Sequence, residues 1–303
     1  LPEVLIQAFS FLLVILIGYL FKRRGILSTK DGHSISQIII RLTLPATIII
    51  GFNGTAITTN LLIMAFTGMF LNITLIIFGG YIWKNKQRTD KALIMFGQAG
   101  YNIGNFTIPF VQGFLPQAIP YIGSFDIGNA LMIFGGSPVL VDKYTDQNRE
   151  SLSVGRILLK LFHSPPFSTY VVMFTLASFS ITLPHTAIQV IDLFAKGNAF
   201  LAMFMVGLYL EILIPKVDMH KISIILLTRY SLAMLLALFF YFFLPLSPIV
   251  RLALILIAFA PIGTVSTINM VTYGNKESTA AQLSSISILI SLILMTAALS
   301  FLL

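Results

Sequence analysis

A chain of 303 residues in which 57% are hydrophobic and only 10% charged is too apolar for a soluble domain of its size and reads as a polytopic membrane protein. The absence of cysteine excludes disulfides, thiolate metal sites and a thiol nucleophile. A net charge of +8 would suggest nucleic acid as the partner of a soluble protein, but here it records where the basic loops lie.

Ten hydrophobic stretches are each long enough to cross a core of about 30 Å at roughly 1.5 Å per residue. They lie near residues 4–21, 34–52, 61–83, 92–114, 119–141, 167–183, 188–214, 222–244, 249–273 and 280–302. The first has no basic flank before it and runs directly into further spans, so a retained helix is expected rather than a cleaved signal peptide. Loops after odd-numbered spans carry fifteen of the nineteen basic residues, from Lys22 and Arg23 to Lys276, whereas the opposite side has Lys196 and Arg251. The positive-inside rule then puts both termini outside the cytoplasm, in an integral membrane protein with no nucleic-acid partner.

The second span carries Pro45, which is expected to break its helix, with Arg41 one turn before it. Arg41 is close enough to the cytoplasmic end to snorkel, the favoured reading, or to pair with an anion, and Arg229 in the eighth span is placed likewise. The fourth span is the exception among the ten. Residues 100–109, GYNIGNFTIP, combine two glycines, two asparagines and a proline, and a helix there would leave backbone groups without partners in hydrocarbon. This stretch is expected to unwind and to line a wet cavity, which makes Asn102, Gly104, Asn105 and Thr107 candidate ligand contacts, with Pro109 shaping the backbone. Asp126 stands about eight residues, or roughly 12 Å, into the fifth span. An ionised carboxylate is costly there, so Asp126 is either a proton carrier or a carboxylate held in one state by polar neighbours.

Residues 150–163, ESLSVGRILLKLFH, suggest a short interfacial helix between the halves. With five spans in each half, the second half enters the membrane in the opposite sense, which permits an inverted repeat. The seventh span carries the pair Gly197–Asn198, opposite Pro45 of the second. The ninth carries Pro261 in AFAPIGTVSTIN, opposite Pro109 of the fourth. Thr264, Thr267 and Asn269 of that segment would either line the site or bond a neighbouring helix. If both helices break, their second halves restart near residues 107–109 and 263–266. Two such N-termini meeting at the midplane would favour a carboxylate.

Other motifs are discounted. Asn53, Asn72 and Asn105 head glycosylation-like triplets, but the latter two lie in spans. His33, His163, His185 and His220 lack metal-ligand spacing, so neither a metal nor a cofactor is expected. Ser284, Ser285 and Ser287 of the tenth span have no intramembrane base to activate them, so an intramembrane enzyme is disfavoured.

The broken fourth span GYNIGNFTIP, the LTLPATI of the second, and AFAPIG followed by TYGNKESTAAQLSSISILIS resemble the auxin efflux carrier family over essentially the whole chain. That family includes plant auxin exporters and bacterial organic-acid permeases. The resemblance implies an all-α polytopic protein of ten helices in two inverted five-helix repeats, 1–150 and 151–303. The fourth and ninth helices would be broken and cross, as in bile-acid symporters and sodium/proton antiporters. It further implies a transport domain and a scaffold domain, each drawn from both repeats, a homodimer, and a bacterial plasma membrane. Residues 142–166 are all that joins the halves, so regulation through a long central loop of the plant type is not expected. The expected function is secondary transport of a small organic anion, a mono- or dicarboxylate or auxin-like acid, by alternating access, with proton or sodium coupling left open. A channel or ligand-sensing receptor built on the same crossing is the alternative.

Overall fold

The computed structural model describes residues 2–145, 153–211 and 218–302, and among these all regular structure is helical apart from one isolated two-residue bridge. Among the described residues fifteen α-helices follow one another: α1 Pro2–Arg23, α2 Thr29–Ile38, α3 Leu44–Phe52, α4 Thr59–Ile82, α5 Arg88–Gln98, α6 Ile108–Phe114, α7 Ile119–Leu131 and α8 Ser137–Thr145 in the first half. In the second half come α9 Val154–Phe162, α10 Pro165–Ser178, α11 His185–Tyr209, α12 Met219–Phe243, α13 Pro248–Ala258, α14 Thr264–Thr272 and α15 Glu277–Leu302. Among the described residues, seven helical runs are long and apolar enough to cross a membrane: Val4–Arg23, Thr29–Phe52, Thr59–Ile82, Pro116–Thr145, His185–Tyr209, Met219–Phe243 and Glu277–Leu302. They turn large side chains such as Phe9, Phe66, Phe70 and Leu193 outward, as lipid-facing helices do.

The fourth, sixth and ninth hydrophobic stretches form shorter helices. The sixth ends as α10 at Ser178, because the chain turns there through Ser180, whose φ is 55°. The fourth and ninth are split, α5 from α6 and α13 from α14.

Proline explains three irregularities by one mechanism. A proline has no N–H to give to the carbonyl four residues back and its ring crowds that carbonyl, so the preceding turn widens. Wide, π-helical turns occupy Ile39–Thr43, Ile103–Thr107 and Met132–Gly136, each ending two residues before a proline: Pro45, Pro109 and Pro138. Pro45 therefore bulges its helix without breaking it, in contrast to the helix break expected there, and the run Thr29–Phe52 is continuous. The seventh span is likewise unbroken at Gly197–Asn198, inside α11. A helix does form over Val154–Phe162, within the predicted interfacial segment; residues 150–152 of that segment lie outside the described residues, as do the loop cations Arg149 and Lys216.

The helices pack in two sets. In the first, α1 lies along α11, and α3 lies between α11 and α10; in the second, α4 lies along α7 and α5, and α12 along α13. Glycines let backbones touch within each set. A Cβ on Gly207 would collide with the Ile15 carbonyl of α1, and one on Gly128 with the Ala65 carbonyl of α4. Where α6 meets the first set, a polar ladder bridges them. Thr43 Oγ1 donates to Asn198 Oδ1 (2.9 Å), Asn198 Nδ2 to Gln112 Oε1 (3.2 Å) and Gln112 Nε2 to the Ala195 carbonyl (2.9 Å), while Thr47 Oγ1, bonded to the Thr43 carbonyl (2.9 Å), lies 3.4 Å from Gln112 Oε1.

Candidate functional site

The two helix breaks lie against each other. Residues 99–102 and 260–263 run past one another outside any helix, and Tyr101 and Ile262 form an antiparallel bridge. Asn102 N donates to the Pro261 carbonyl (2.9 Å) and Gly263 N to the Gly100 carbonyl (3.0 Å). Gly100 makes this approach possible. Its φ is 79°, and a Cβ there would strike Ser266 Oγ.

Backbone polar groups this deep in an apolar protein require partners, and remote side chains supply them. Asn72 Oδ1 on α4 accepts from Gly100 N (2.7 Å). Asn129 on α7 clasps Tyr101 from both sides, Oδ1 accepting from its N (3.1 Å) and Nδ2 donating to its O (3.1 Å). In the second break, Ile262 N donates to Ser287 Oγ on α15 (3.2 Å).

The carbonyl ends of α5 and α13 converge on one cation. Arg229 of α12, only 4% exposed, donates from Nη1 to the carbonyls of Gly97 (2.9 Å) and Gln98 (3.0 Å), and from Nη2 to those of Ala260 (3.1 Å) and Gly100 (3.4 Å). Its guanidinium also lies 5.2 Å from the centre of the Tyr101 ring. Snorkelling is thus the wrong account of Arg229. It stands eleven residues into α12, roughly 16 Å from the helix start, and the half-helix C-termini are negative ends that a cation satisfies.

With both carbonyl ends occupied, the N-terminal ends of the restarting helices are left facing open space. The second restarts at Thr264, as the sequence suggests. The first restarts at Ile103, some five residues earlier than Pro109 alone would indicate, because the wide turn before that proline is already helical. Pro261 does not open a helix: it stands in the extended crossing, where its carbonyl accepts from Asn102. Pro109 is the second residue of α6, directly after the wide turn that its missing N–H produces.

Two cavities reach the crossing from different sides. The larger, about 680 Å³, runs between α11 and the pair α14 and α15, bordered by His33, Tyr209 and Glu211 towards one end and by Asn102, Asn105, Thr264 and Thr267 at its base. The smaller, about 120 Å³, is bordered by Gly104, Asp126, Asn129, Tyr170 and again by Asn102, Asn105 and Thr264. These three shared residues lie at the restarts. The Asn102 side chain, 7% exposed, makes no hydrogen bond to any described residue, while Asn105 Nδ2 is 3.5 Å from Thr264 Oγ1.

The other expected contacts fall elsewhere. Thr107 is buried and donates back to the Asn102 carbonyl (3.0 Å), closing the wide turn, and it borders neither cavity. Asn269 donates to the Ile133 carbonyl (3.4 Å), the helix-bonding alternative. Arg41 is exposed, its Nε donating to Gln37 Oε1 (2.9 Å), and borders neither cavity, so its position is that of a snorkelling side chain and not of an anion contact. Asp126 is half-buried and accepts from Asn129 Nδ2 (2.9 Å) and the Tyr170 hydroxyl (3.2 Å).

Sequence reasoning missed Asn129, dismissed Asn72 as a chance glycosylation triplet and read Arg229 as an interfacial cation. The available signal was the same for all three, a strongly polar side chain inside an apolar span. No family model matches this chain, and no curated protein matches it.

Proposed function

We propose that this chain is a carrier for a small organic anion, of the auxin efflux carrier type, with a carboxylate seated where the two restarting helices meet. The observation that carries the reading is the asymmetry of the crossing: its carbonyl ends are taken up by Arg229, while its N–H ends, with the unbonded amide of Asn102, border open cavities. Free helix N-termini attract anions, and neutral amides orient them without a buried cation in contact.

Ten crossings in two inverted repeats, 1–150 and 151–303, fit the paired splits at equivalent places in the two halves. The two packing sets would be the scaffold and the transport domain. Alternating access then means movement of the second set past the first, with the larger cavity as the open route on the side of the basic loops, the cytoplasm. A scaffold-mediated homodimer in a bacterial plasma membrane belongs to the same reading. Asp126 borders the smaller cavity, but its two hydrogen-bond donors stabilise the ionised carboxylate and favour its being held in one state over its carrying a proton.

The test is uptake of radiolabelled mono- and dicarboxylates into proteoliposomes. Saturable, counterflow-stimulated uptake is expected, and Asn105→Ala should abolish it at equal protein incorporation. Undiminished uptake by that variant removes the site assignment, and flux without saturation or counterflow indicates a channel.

A further inference from the structure

Of the two basic residues assigned to the side opposite the basic loops, Lys196 of α11 is paired, with Nζ 2.7 Å from Asp192 Oδ2. Arg251 has no acidic partner among the described residues. It is half-buried in α13, where Nη1 donates to the Tyr241 carbonyl (3.1 Å) and the guanidinium lies 5.8 Å from the Tyr241 ring centre. Its remaining N–H groups bond no described residue.

They border a recess of about 430 Å³ with walls from Leu115, Ile249, Leu252, Ile255 and Phe301 and with Gln117 as a further polar group. The recess lies where α6 passes towards α7, where α12 turns into α13, and beside the last turn of α15. The membrane-length helix Met219–Phe243 thus ends at its level, as expected at the boundary between hydrocarbon and headgroups.

We propose that this recess binds an anionic phospholipid, its phosphodiester on Arg251 and one acyl chain along the apolar wall. A half-buried cation without a counter-charge favours an anion, and the guanidinium fork matches two phosphate oxygens. The apolar wall selects an anion that carries a hydrocarbon chain, and a tyrosine beside the cation is typical of the interfacial belt. The site is independent of what the crossing binds.

The experiment measures thermal unfolding of the purified full chain in neutral detergent with added phosphatidylglycerol, phosphatidylcholine or soluble glycerol 3-phosphate. Phosphatidylglycerol should raise the midpoint by at least about 3 °C over phosphatidylcholine, by preferential binding to the folded state. Arg251→Gln should lose that difference while keeping its midpoint in phosphatidylcholine. Should Arg251→Gln not fold, Ile249→Trp, which fills the recess and keeps the guanidinium, should lose it equally. The proposal is overturned if the wild-type chain shows no difference between the lipids, as when a second copy of the chain covers the recess. It is also overturned if either folded variant retains the full difference, or if glycerol 3-phosphate alone reproduces it.

Discussion

Asn102 concentrates the polar chemistry of the crossing in one residue. Its backbone N–H joins the two breaks, its carbonyl accepts from both Thr107 N and Thr107 Oγ1, and its side-chain amide is turned to no described protein group. A hydrogen bond to a charged ligand contributes about 1.5–3 kcal/mol, so Asn102→Ala should weaken carboxylate binding roughly ten- to hundredfold by calorimetry. Thr107→Val removes a bond internal to the wide turn and should instead lower the unfolding midpoint while leaving affinity within about threefold. If the two variants exchanged effects, the assignment of ligand contact to Asn102 and of backbone support to Thr107 would be reversed. Gly100 admits no such division of roles, since its positive φ and the contact with Ser266 make any side chain incompatible with the bridge.

Among the elements, the split helices depend on α12 more than on each other. Direct bonds between the breaks are two, from Asn102 N and Gly263 N, whereas Arg229 alone reaches carbonyls of both half-helices. Each buried acceptor left without a donor costs about 1–3 kcal/mol, so Arg229→Met should destabilise the fold by at least about 3 kcal/mol. The expected reading is a fall of roughly 10 °C in the unfolding midpoint, or loss of the monodisperse peak in size-exclusion chromatography. Arg229→Lys should restore only part of it, because an ammonium is a point charge and cannot fork between two helix ends. A variant without arginine that unfolded at the wild-type temperature would show that the breaks are held by Asn72, Asn129 and Ser287 alone. The same logic explains why prolines 45, 109 and 138 have different outcomes. Each widens the turn before it, but only at the fourth span do Gly100 and the neighbouring polar residues allow the chain to leave the helix altogether.

For the whole molecule, the polar ladder of Thr43, Thr47, Gln112 and Asn198 closes the side of the crossing away from the larger cavity. A further cavity of about 410 Å³, bordered by Thr47, Gln112 and Asp192, lies against the ladder. Under alternating access these bonds must break as α6 moves from α11. Gln112→Ala should therefore raise the labelling rate of a Thr47→Cys probe by an impermeant maleimide several-fold, and the absence of native cysteine leaves no background. Unchanged labelling would mean that the ladder belongs to a static interface. Composition and the length of the apolar stretches together determined that the chain is built of membrane-compatible helices, since a spanning strand needs only about ten residues and a spanning helix about twenty. The run GYNIGNFTIP and the segment around Pro261 disclosed the breaks because helix interruption is a local matter of missing N–H groups and glycine freedom. Only the tertiary structure decided how the breaks are held: Asn72 and Asn129 each stand 28 residues from the peptide they bond, and Arg229 about 130 from the end of α5. Local periodicity contains no information about partners at that separation. A buried amide or guanidinium reads the same in sequence whether it caps a broken helix, bonds its own turn or reaches for the membrane surface.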